Sequence, residues 1–478
     1  MNASALMLAA AVLAGCAGPG PTPPRAPLLE PASLGADGPA APWPAADAWA
    51  AWGDAELQQL IATALQRQPD LQAALARVQR AQQLQAGTEA AQRMQLDAEV
   101  SATDQRFSAH GLVPPPYAGS TRWTADARVG AAWSPDLFGR QRAALEAAVG
   151  QARAAEADAA ATRVLVAGQV ATAHFRLAQL LDARRVVQAA LAQREQVQAL
   201  VRERSDAGLD TAVERHQAEG LVAQTRAEAL ALDDAIARSR HALAELSGQG
   251  PQALQHYAPQ LAQARLPERP ATLPADLLGW RADLVAARWR VEAATHGVAE
   301  ARAQFYPSVD LTAFAGLSSL GLNQLLELGS RTYGAGPALH LPLFDGGRLR
   351  AQLGARAAEA DAAVAAYNAA LLRALREVAD ELGTLGAIER QQQAQAEAAS
   401  AAEAAYTLAL QRYRAGLGNY LVVLTAQTNV LAQQRAASEL KGRRLVAQVA
   451  LALALGGGFS GGVDNGTAPS PSSSERPT

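Results

Sequence analysis

The sequence has 478 residues, a formal net charge of −3 and a pI near 6.2, so it lacks the basic excess that indicates a nucleic-acid partner. Hydrophobic residues make up 49% of the chain and aromatic residues only 5%. Most of the non-aromatic hydrophobic residues are alanine, which favours closely packed helices over a bulky globular core. Cys16 is the only cysteine, which excludes a fold held by internal disulfides.

The N-terminal residues have the pattern of a targeting signal. Residues 1–15 end in an apolar run that is too short to span a bilayer as a helix. With Leu13-Ala14-Gly15-Cys16, the run resembles a bacterial lipoprotein signal, which implies that 1–15 is removed and that Cys16 carries lipid, including palmitate. Because Ala17 and not an aspartate follows, the expected destination is the outer membrane. The alternative is that Cys16 is an ordinary small apolar residue.

Two segments, one near each end of the chain, have a biased composition and no hydrophobic periodicity, and are expected to be irregular. Residues 16–53 are predicted to be a lipidated N-terminal tether, because 17–43 are rich in Pro, Gly and Ala and have no periodicity. Residues 457–478 are rich in Gly, Ser and Pro and predict a disordered tail.

The chain between these segments repeats one plan. The segment WSPDLFGRQR at 133–142 returns as LPLFDGGRLR at 341–350, and AGL at 207–209 returns at 415–417. A repeat of about 200 residues is too long for a solenoid unit and indicates duplication of a half-molecule. We expect a first structural repeat at 54–260 and a second at 261–456.

Each copy is predicted to begin with short helices. In the first copy Asp54 is the expected N-cap of a helix that ends at Arg67, and Pro69-Asp70 starts another helix that reaches about Arg93. The second copy carries the counterpart of this second helix at about 281–304.

The hydrophobic period then changes from helical to alternating. Strand pairs are predicted at about 96–134 and 307–343, and each strand has about ten residues, the length that a tilted transmembrane strand needs. A soluble sheet covered by helices on one face alternates in the same way. Four strands are too few to close a membrane barrel, so other copies of the chain must complete it.

Very long helices are predicted to follow each strand pair. No proline occurs between Pro135 and Pro251 or between Pro342 and Pro469. Long antiparallel helical hairpins are therefore expected at about 137–247 and 347–455, with glycine turns at Gly208 and Gly416. The first arm of each hairpin has a length of about 100 Å. Such hairpins can build a hollow wall or, alternatively, a solid coiled-coil stalk.

Several motifs, in this order and spacing, are typical of one family. The two-copy plan, the lipoprotein signal, WAAWGD at 49–54, DLFGR at 136–140 and YRAG at 413–416 resemble the TolC-like outer-membrane efflux family, lipoprotein branch. The resemblance implies an α+β membrane protein, a trimeric TolC-like α/β-barrel with four β-strands and long antiparallel helices per protomer and two internal repeats. It also implies a twelve-stranded barrel continued by a twelve-helix barrel through the periplasm.

The same resemblance implies a function and partners. The homotrimer would be the exit duct of a tripartite efflux system in the outer membrane. It would passively conduct small molecules that arrive from a periplasmic adaptor protein and an inner-membrane pump. The rival hypothesis is a non-channel, lipid-anchored helical scaffold or adaptor of an envelope complex.

The resemblance also implies a gate at the periplasmic helix tips, at about 205–217 and 413–428. The candidate gate residues are Glu214, Asn419, Tyr420, Leu421, Thr425 and Thr428. Thr425 and Thr428 stand where relatives often place an aspartate and an arginine, so an ionic lock is not expected at that level. Glu214 is read either as an acidic ring or as an exposed helix carboxylate, and Tyr420 either as a gate residue or as helix packing.

Nothing in the sequence predicts catalysis. The seven histidines have no metal-ligand spacing, and neither a nucleophile elbow nor a phosphate loop is present. We therefore expect no enzymatic activity, no cofactor and no metal site.

Overall fold

The computed structural model describes residues 27–35, 48–261 and 281–459. Cys16, the expected signal peptide, much of the expected tether and residues 460–478 lie outside these ranges. The described residues form seven α-helices and four β-strands. In chain order these are α1 (Ala55–Arg67), α2 (Pro69–Ala90), β1 (Gln95–Arg106), β2 (Thr121–Trp133), α3 (Arg140–Asp206), α4 (Ala212–Leu246), α5 (Ala282–Ala303), β3 (Ser308–Leu320), β4 (Arg331–His340), α6 (Arg348–Arg414) and α7 (Tyr420–Ala454).

Helix α1 begins and ends where the sequence predicts. The carboxylate of Asp54 accepts a hydrogen bond of 2.9 Å from the Leu57 backbone N–H, which caps an otherwise unpaired donor at the helix start. The buried positions Leu57, Leu60, Ile61 and Ala64 follow helical spacing and form one apolar stripe. Gln68 is extended and precedes Pro69, which disfavours helical backbone in the residue before it.

The four strands form one antiparallel sheet in the order β1-β2-β3-β4, so β1 and β4 are its two edges. The predicted strand pairs are therefore present. Strand β4 ends at His340, three residues short of the expected end at 343. The pairing explains the difference, because His340 lies opposite Ser308, the first residue of β3, and residues 341–343 have no β3 residue opposite them.

The register separates the sheet into an apolar face and a polar face. Residues directly opposite each other share a face, so each row across the sheet can be read from the pairing. The rows of the apolar face include Ala98–Val129–Ala315–Tyr333 and Val100–Ala127–Leu317. The rows of the polar face include Glu99–Arg128 and Ser101–Asp126–Ser318. Arg128 and Glu99 form a cross-strand ion pair of 2.6 Å.

The helical hairpins have equal dimensions in the two copies. Helices α3 and α6 each have 67 residues, and α4 and α7 each have 35. A helix of 67 residues has a length of about 100 Å, in agreement with the prediction. Equal lengths in both copies are what an internal duplication produces.

The chain forms two compact units, and each unit contains segments of both sequence copies. The first comprises Arg77–Ala155 and Ala286–Tyr367, and it contains the sheet. Its apolar cluster joins the end of α5 to the start of α6 through Val298, Ala301, Phe305, Leu349, Leu353 and Ala360.

The second unit comprises the described parts of Leu29–Ala76, Glu156–Val285 and Asn368–Thr478. Its largest cluster packs Trp52 and Leu57 against Phe175 of α3 and Val449 of α7. Helices α3 and α7 approach closely, because a Cβ on Gly168 would overlap the Leu453 side chain. Small residues at such positions explain the alanine-rich and glycine-containing composition.

One helix in the described residues, α3, contains an 18-residue window that is apolar enough to cross a membrane by length and composition. Half of that window is buried inside the protein. Val166, Val170 and Phe175 of this helix belong to the core of the second unit.

Candidate functional site

The two helix tips have the same backbone structure. Gly208 and Gly416 both have a φ of 73°, a left-handed conformation that favours glycine. In the first tip the Leu209 N–H donates to the Arg204 carbonyl at 2.8 Å, and in the second the Leu417 N–H donates to the Arg412 carbonyl at 2.8 Å. These bonds satisfy carbonyls at the ends of α3 and α6 and reverse the chain, as the glycine turns predict.

An ion pair closes the first tip. Arg204 Nε lies 3.0 Å from Asp210 Oδ2, so the pair crosses the turn at Gly208. Both side chains are largely buried. The pair therefore fixes the distance between the end of α3 and the start of α4.

Tyr413 joins the second tip to this pair. Its hydroxyl donates a hydrogen bond to the Asp210 carboxylate, and the Arg204 guanidinium lies 4.5 Å from the centre of its ring. Burial, the largest single effect, raises the pKa of Asp210, but the hydrogen bonds from Arg204 and Tyr413 together hold that pKa below its usual value. Burial and the neighbouring Asp210 carboxylate raise the pKa of Tyr413, so its hydroxyl remains a donor at neutral pH.

An apolar cluster supports the three residues of this tip network, Arg204, Asp210 and Tyr413. Tyr413 is fully buried, and Tyr420 at the start of α7 is 2% exposed. Their ring centres are 6.1 Å apart, and Val201 and Val423 pack beside them. Tyr420 therefore contributes packing between α3, α6 and α7.

The structure accounts locally for the polar candidates at the helix starts. Glu214 is the third residue of α4, and its carboxylate accepts a hydrogen bond of 2.9 Å from the Thr211 N–H. Hydrogen bonds from Thr211 lower the pKa of Glu214. Asn419 is the N-cap residue of α7, and its side-chain oxygen accepts a hydrogen bond of 3.2 Å from the Val422 N–H. Both side chains are thus engaged in capping.

The two threonine candidates lie on an exposed part of α7. The hydroxyls of Thr425 and Thr428 each donate a hydrogen bond of 2.9 Å to the backbone carbonyl four residues earlier. Their side chains have no charge and form no cross-helix bond in the described residues. Leu421 is exposed one turn before Thr425.

Exposed apolar side chains occur at equivalent positions of both tips. Leu209 is 66% exposed and its counterpart Leu417 is 70% exposed. Val213 and its counterpart Leu421 are also exposed. The two tips therefore present exposed apolar side chains at equivalent positions.

The structure brings together residues that the sequence reasoning did not group. In the sequence Tyr413 is marked only by the YRAG motif, and no motif marks Arg204 or Asp210 as a site residue. The positions of Arg204 and Asp210 on either side of Gly208 could have indicated an ion pair across the turn. Nothing in the sequence relates Asp210 to Tyr413. In the part of the chain that the structure describes, no group of three or more His, Cys, Asp or Glu residues could hold a metal ion.

Comparisons with known proteins agree with this architecture. The family model described as "Outer membrane efflux protein" matches residues 60–249 and 273–457. The outer membrane protein OprJ of Pseudomonas aeruginosa is 33% identical over 441 residues, which is 86% of this chain and 85% of that protein. The multidrug resistance outer membrane protein MdtP of Escherichia coli strain K12 is 33% identical over 450 residues, 88% of each chain.

A solved structure gives the same result. The outer membrane protein VceC of Vibrio cholerae superimposes with a TM-score of 0.82 and 38% sequence identity, over 87% of this chain and 100% of that one. With its four strands and long helices, the chain therefore has the TolC-like α/β-barrel architecture. The chain therefore belongs to the outer membrane efflux protein family.

Proposed function

We propose that this protein is the outer-membrane exit channel of a tripartite efflux system, and that it conducts small molecules passively out of the cell. The observation that carries the proposal is the sheet of four strands, which has one apolar face, one polar face and two open edges. Such a sheet suits a wall with lipid on one side and water on the other.

The open edges supply the argument for a homotrimer. The backbone groups of β1 and β4 that face outward have no partner strand among the residues that the structure describes. Unpaired strand edges are not tolerated in lipid, so neighbouring chains must pair with them. Three chains give twelve strands, enough to close a barrel of transmembrane size.

Aromatic side chains at the ends of the strands support insertion into a membrane. Trp133 ends β2, and Tyr306 lies just before β3. Phe138 stacks on Tyr306 with ring centres 5.2 Å apart, and all three residues are partly exposed. Amphipathic aromatic rings are enriched where a membrane protein meets the headgroup layer.

The helix tips are proposed to receive a periplasmic adaptor protein, which links the channel to an inner-membrane pump. Leu209 and Leu417 offer the adaptor the same apolar contact in both copies. With three chains, six such tips would form a ring of equivalent docking points. The tip network of Arg204, Asp210 and Tyr413 would hold the tips of one chain together in the resting state.

The candidate gate residues keep two roles in this proposal. Asn419 and Glu214 fix the helix starts, and Tyr420 anchors α7 on the tip network. The exposed side chains Leu421, Thr425 and Thr428 are proposed to border the opening that solutes enter. These side chains carry no charge, so the border of the opening would be neutral and would not be closed by ion pairs.

Cys16 is proposed to carry the lipid anchor, because the residues before it resemble a lipoprotein signal. Mass spectrometry of the purified protein tests this proposal. The expected mature chain begins at a triacylated Cys16, and Cys16→Ser is expected to abolish the acyl mass. An unmodified cysteine in protein from the native membrane would refute the anchor without affecting the channel.

Two measurements on purified protein test the channel itself. We expect a trimer that migrates more slowly in unheated gel samples than the single chain that heating releases. We also expect discrete ion-conducting steps after its addition to a planar lipid bilayer. A monomer without conductance would favour the rival hypothesis of a lipid-anchored helical scaffold.

A further inference from the structure

One aromatic side chain interrupts the polar face of the sheet. Phe314 lies on this face, directly opposite Gly130 on β2 and Gly334 on β4. Its ring covers Gly334, because a Cβ added to that glycine would lie 2.8 Å from Phe314 Cε1. Phe314 is nevertheless 44% exposed. The ring therefore packs on the backbone of β4 and keeps an open surface on the polar side.

The same row continues across the sheet to a carboxylate. Gly130 is opposite Asp97 on β1, so the row reads Asp97, Gly130, Phe314, Gly334. Strands are about 4.8 Å apart, which places the Cα atoms of Asp97 and Phe314 about 10 Å from each other. Gly130 has no side chain, so the space between the carboxylate and the ring is open.

Asp97 differs from the neighbouring carboxylate on the same strand. In the next row Glu99 forms an ion pair with Arg128, which lies directly opposite it. The exposed Asp97 carboxylate has no ion pair within the ranges that the structure covers. The polar face as a whole is also acidic. It carries the carboxylates of Asp97, Glu99, Asp126 and Asp310 and the guanidinium groups of Arg122 and Arg128.

We propose that the row Asp97–Gly130–Phe314 is a transient binding site for flat organic cations in transit. The aromatic part of the solute stacks on the open surface of Phe314, and its cationic group pairs with Asp97. The proposal rests on the proposed function, since the polar face meets solutes only if it lines the channel. Both contacts are solvated and weak, which suits a duct whose solutes must leave again.

The test uses the purified full-length protein in planar bilayers with ethidium as the probe. Ethidium joins a flat ring system to a positive charge, and its residence time is measured as the duration of current blockades. We expect Asp97→Asn and Phe314→Leu each to shorten these blockades about fivefold. Blockades by tetraethylammonium, which has the charge but no ring, are expected to be unaffected by Phe314→Leu.

Two control variants separate this row from general effects of charge and aromaticity. Asp126→Asn removes one carboxylate from the same face, and Tyr333→Leu removes an 84% exposed ring from the opposite face. Both are expected to keep the ethidium residence time of the unaltered protein. If Asp126→Asn shortened the blockades as much as Asp97→Asn, a diffuse field would be responsible and the site would be refuted.

The remaining outcomes distinguish the site from the channel. Unchanged ethidium blockades in both row variants, with normal conductance, would refute the site and leave the channel function intact. An unaltered protein that conducts no ions would overturn the proposed function and the site with it. If Phe314→Leu fails to assemble because Gly334 is uncovered, Asp97→Asn still tests the site, because the Asp97 side chain is exposed and no packing depends on it.

Discussion

Tyr413 donates a hydrogen bond to the carboxylate of Asp210, a residue that lies 203 positions earlier in the chain. The bond joins the end of α6 to the turn between α3 and α4, and Arg204 forms an ion pair with the same carboxylate. The two copies of the duplicated plan are thus tied together where each reverses direction. This network joins residues that are distant in the sequence, whereas the capping bonds at the nearby helix starts join residues three positions apart.

Removal of the Tyr413 hydroxyl is expected to loosen the tips without disturbing the core. Tyr413→Phe keeps the buried ring and deletes one hydrogen bond to a charged acceptor, a loss of about 2 kcal/mol. In planar bilayers we expect a higher mean conductance than in the unaltered protein. Tyr406→Phe is the matched control, because Tyr406 is another buried tyrosine two turns earlier on α6. Equal conductance in the two variants would contradict a role for the Tyr413–Asp210 bond in closing the tips.

The contribution of Asp210 to stability is expected to depend on pH in one direction. Its pKa in the folded protein is below the usual 3.8, since the hydrogen bonds to Arg204 and Tyr413 outweigh the effect of burial. The stabilisation is therefore complete above pH 3.8 and is lost as the pH falls through the lowered value. The unfolding temperature of Asp210→Asn should be lower than that of the unaltered protein by the same amount between pH 7 and 5. In stronger acid the two unfolding temperatures should converge. A difference in unfolding temperature that disappears near pH 6 would mean that a group other than Asp210 causes the pH dependence.

The two turn glycines are expected to be sensitive to alanine for conformational reasons alone. A Cβ on Gly416 would meet no atom within 4 Å, but its φ of 73° is strained for any L side chain. Gly416→Ala should therefore lower the free energy of unfolding by about 1 kcal/mol. Gly220→Ala provides the control, because Gly220 lies inside α4 with the same open space. There alanine should raise the stability by about 0.5–1 kcal/mol, and denaturant titrations would detect the opposite signs.

The elements that the sequence predicted are those with a long, regular signal. Alternation over ten or more residues identified β1 to β4, and the absence of proline identified α3 and α6. The Thr211-Ala-Val-Glu214 sequence is a capping-box signature, so the role of Glu214 in capping was readable as well. The Asp210–Tyr413 bond was not, because a contact across 203 residues depends on the packing of α3 against α6 and leaves no local pattern. Nor could the end of β4 be predicted to the residue, since the apolar alternation continues to Leu343, past His340, which pairs with the first residue of β3.

Arginine scanning of one strand should reveal which face of the sheet meets lipid. Val100 and Ser101 are neighbours in the middle of β1 and, by register, belong to the apolar and the polar face respectively. Val100→Arg would place a guanidinium in the hydrocarbon region at a cost of about 2–4 kcal/mol per chain, and the closed trimer multiplies that cost by three. Ser101→Arg would place the same side chain in water, where no such cost arises. We therefore expect the heat-modifiable trimer to be lost or weakened in Val100→Arg and retained in Ser101→Arg, with retention judged by gel migration of outer-membrane extracts. Trimers of equal stability in the two variants would mean that the apolar face is not the lipid-facing surface, and the assignment of the polar face to the solute path would fail with it.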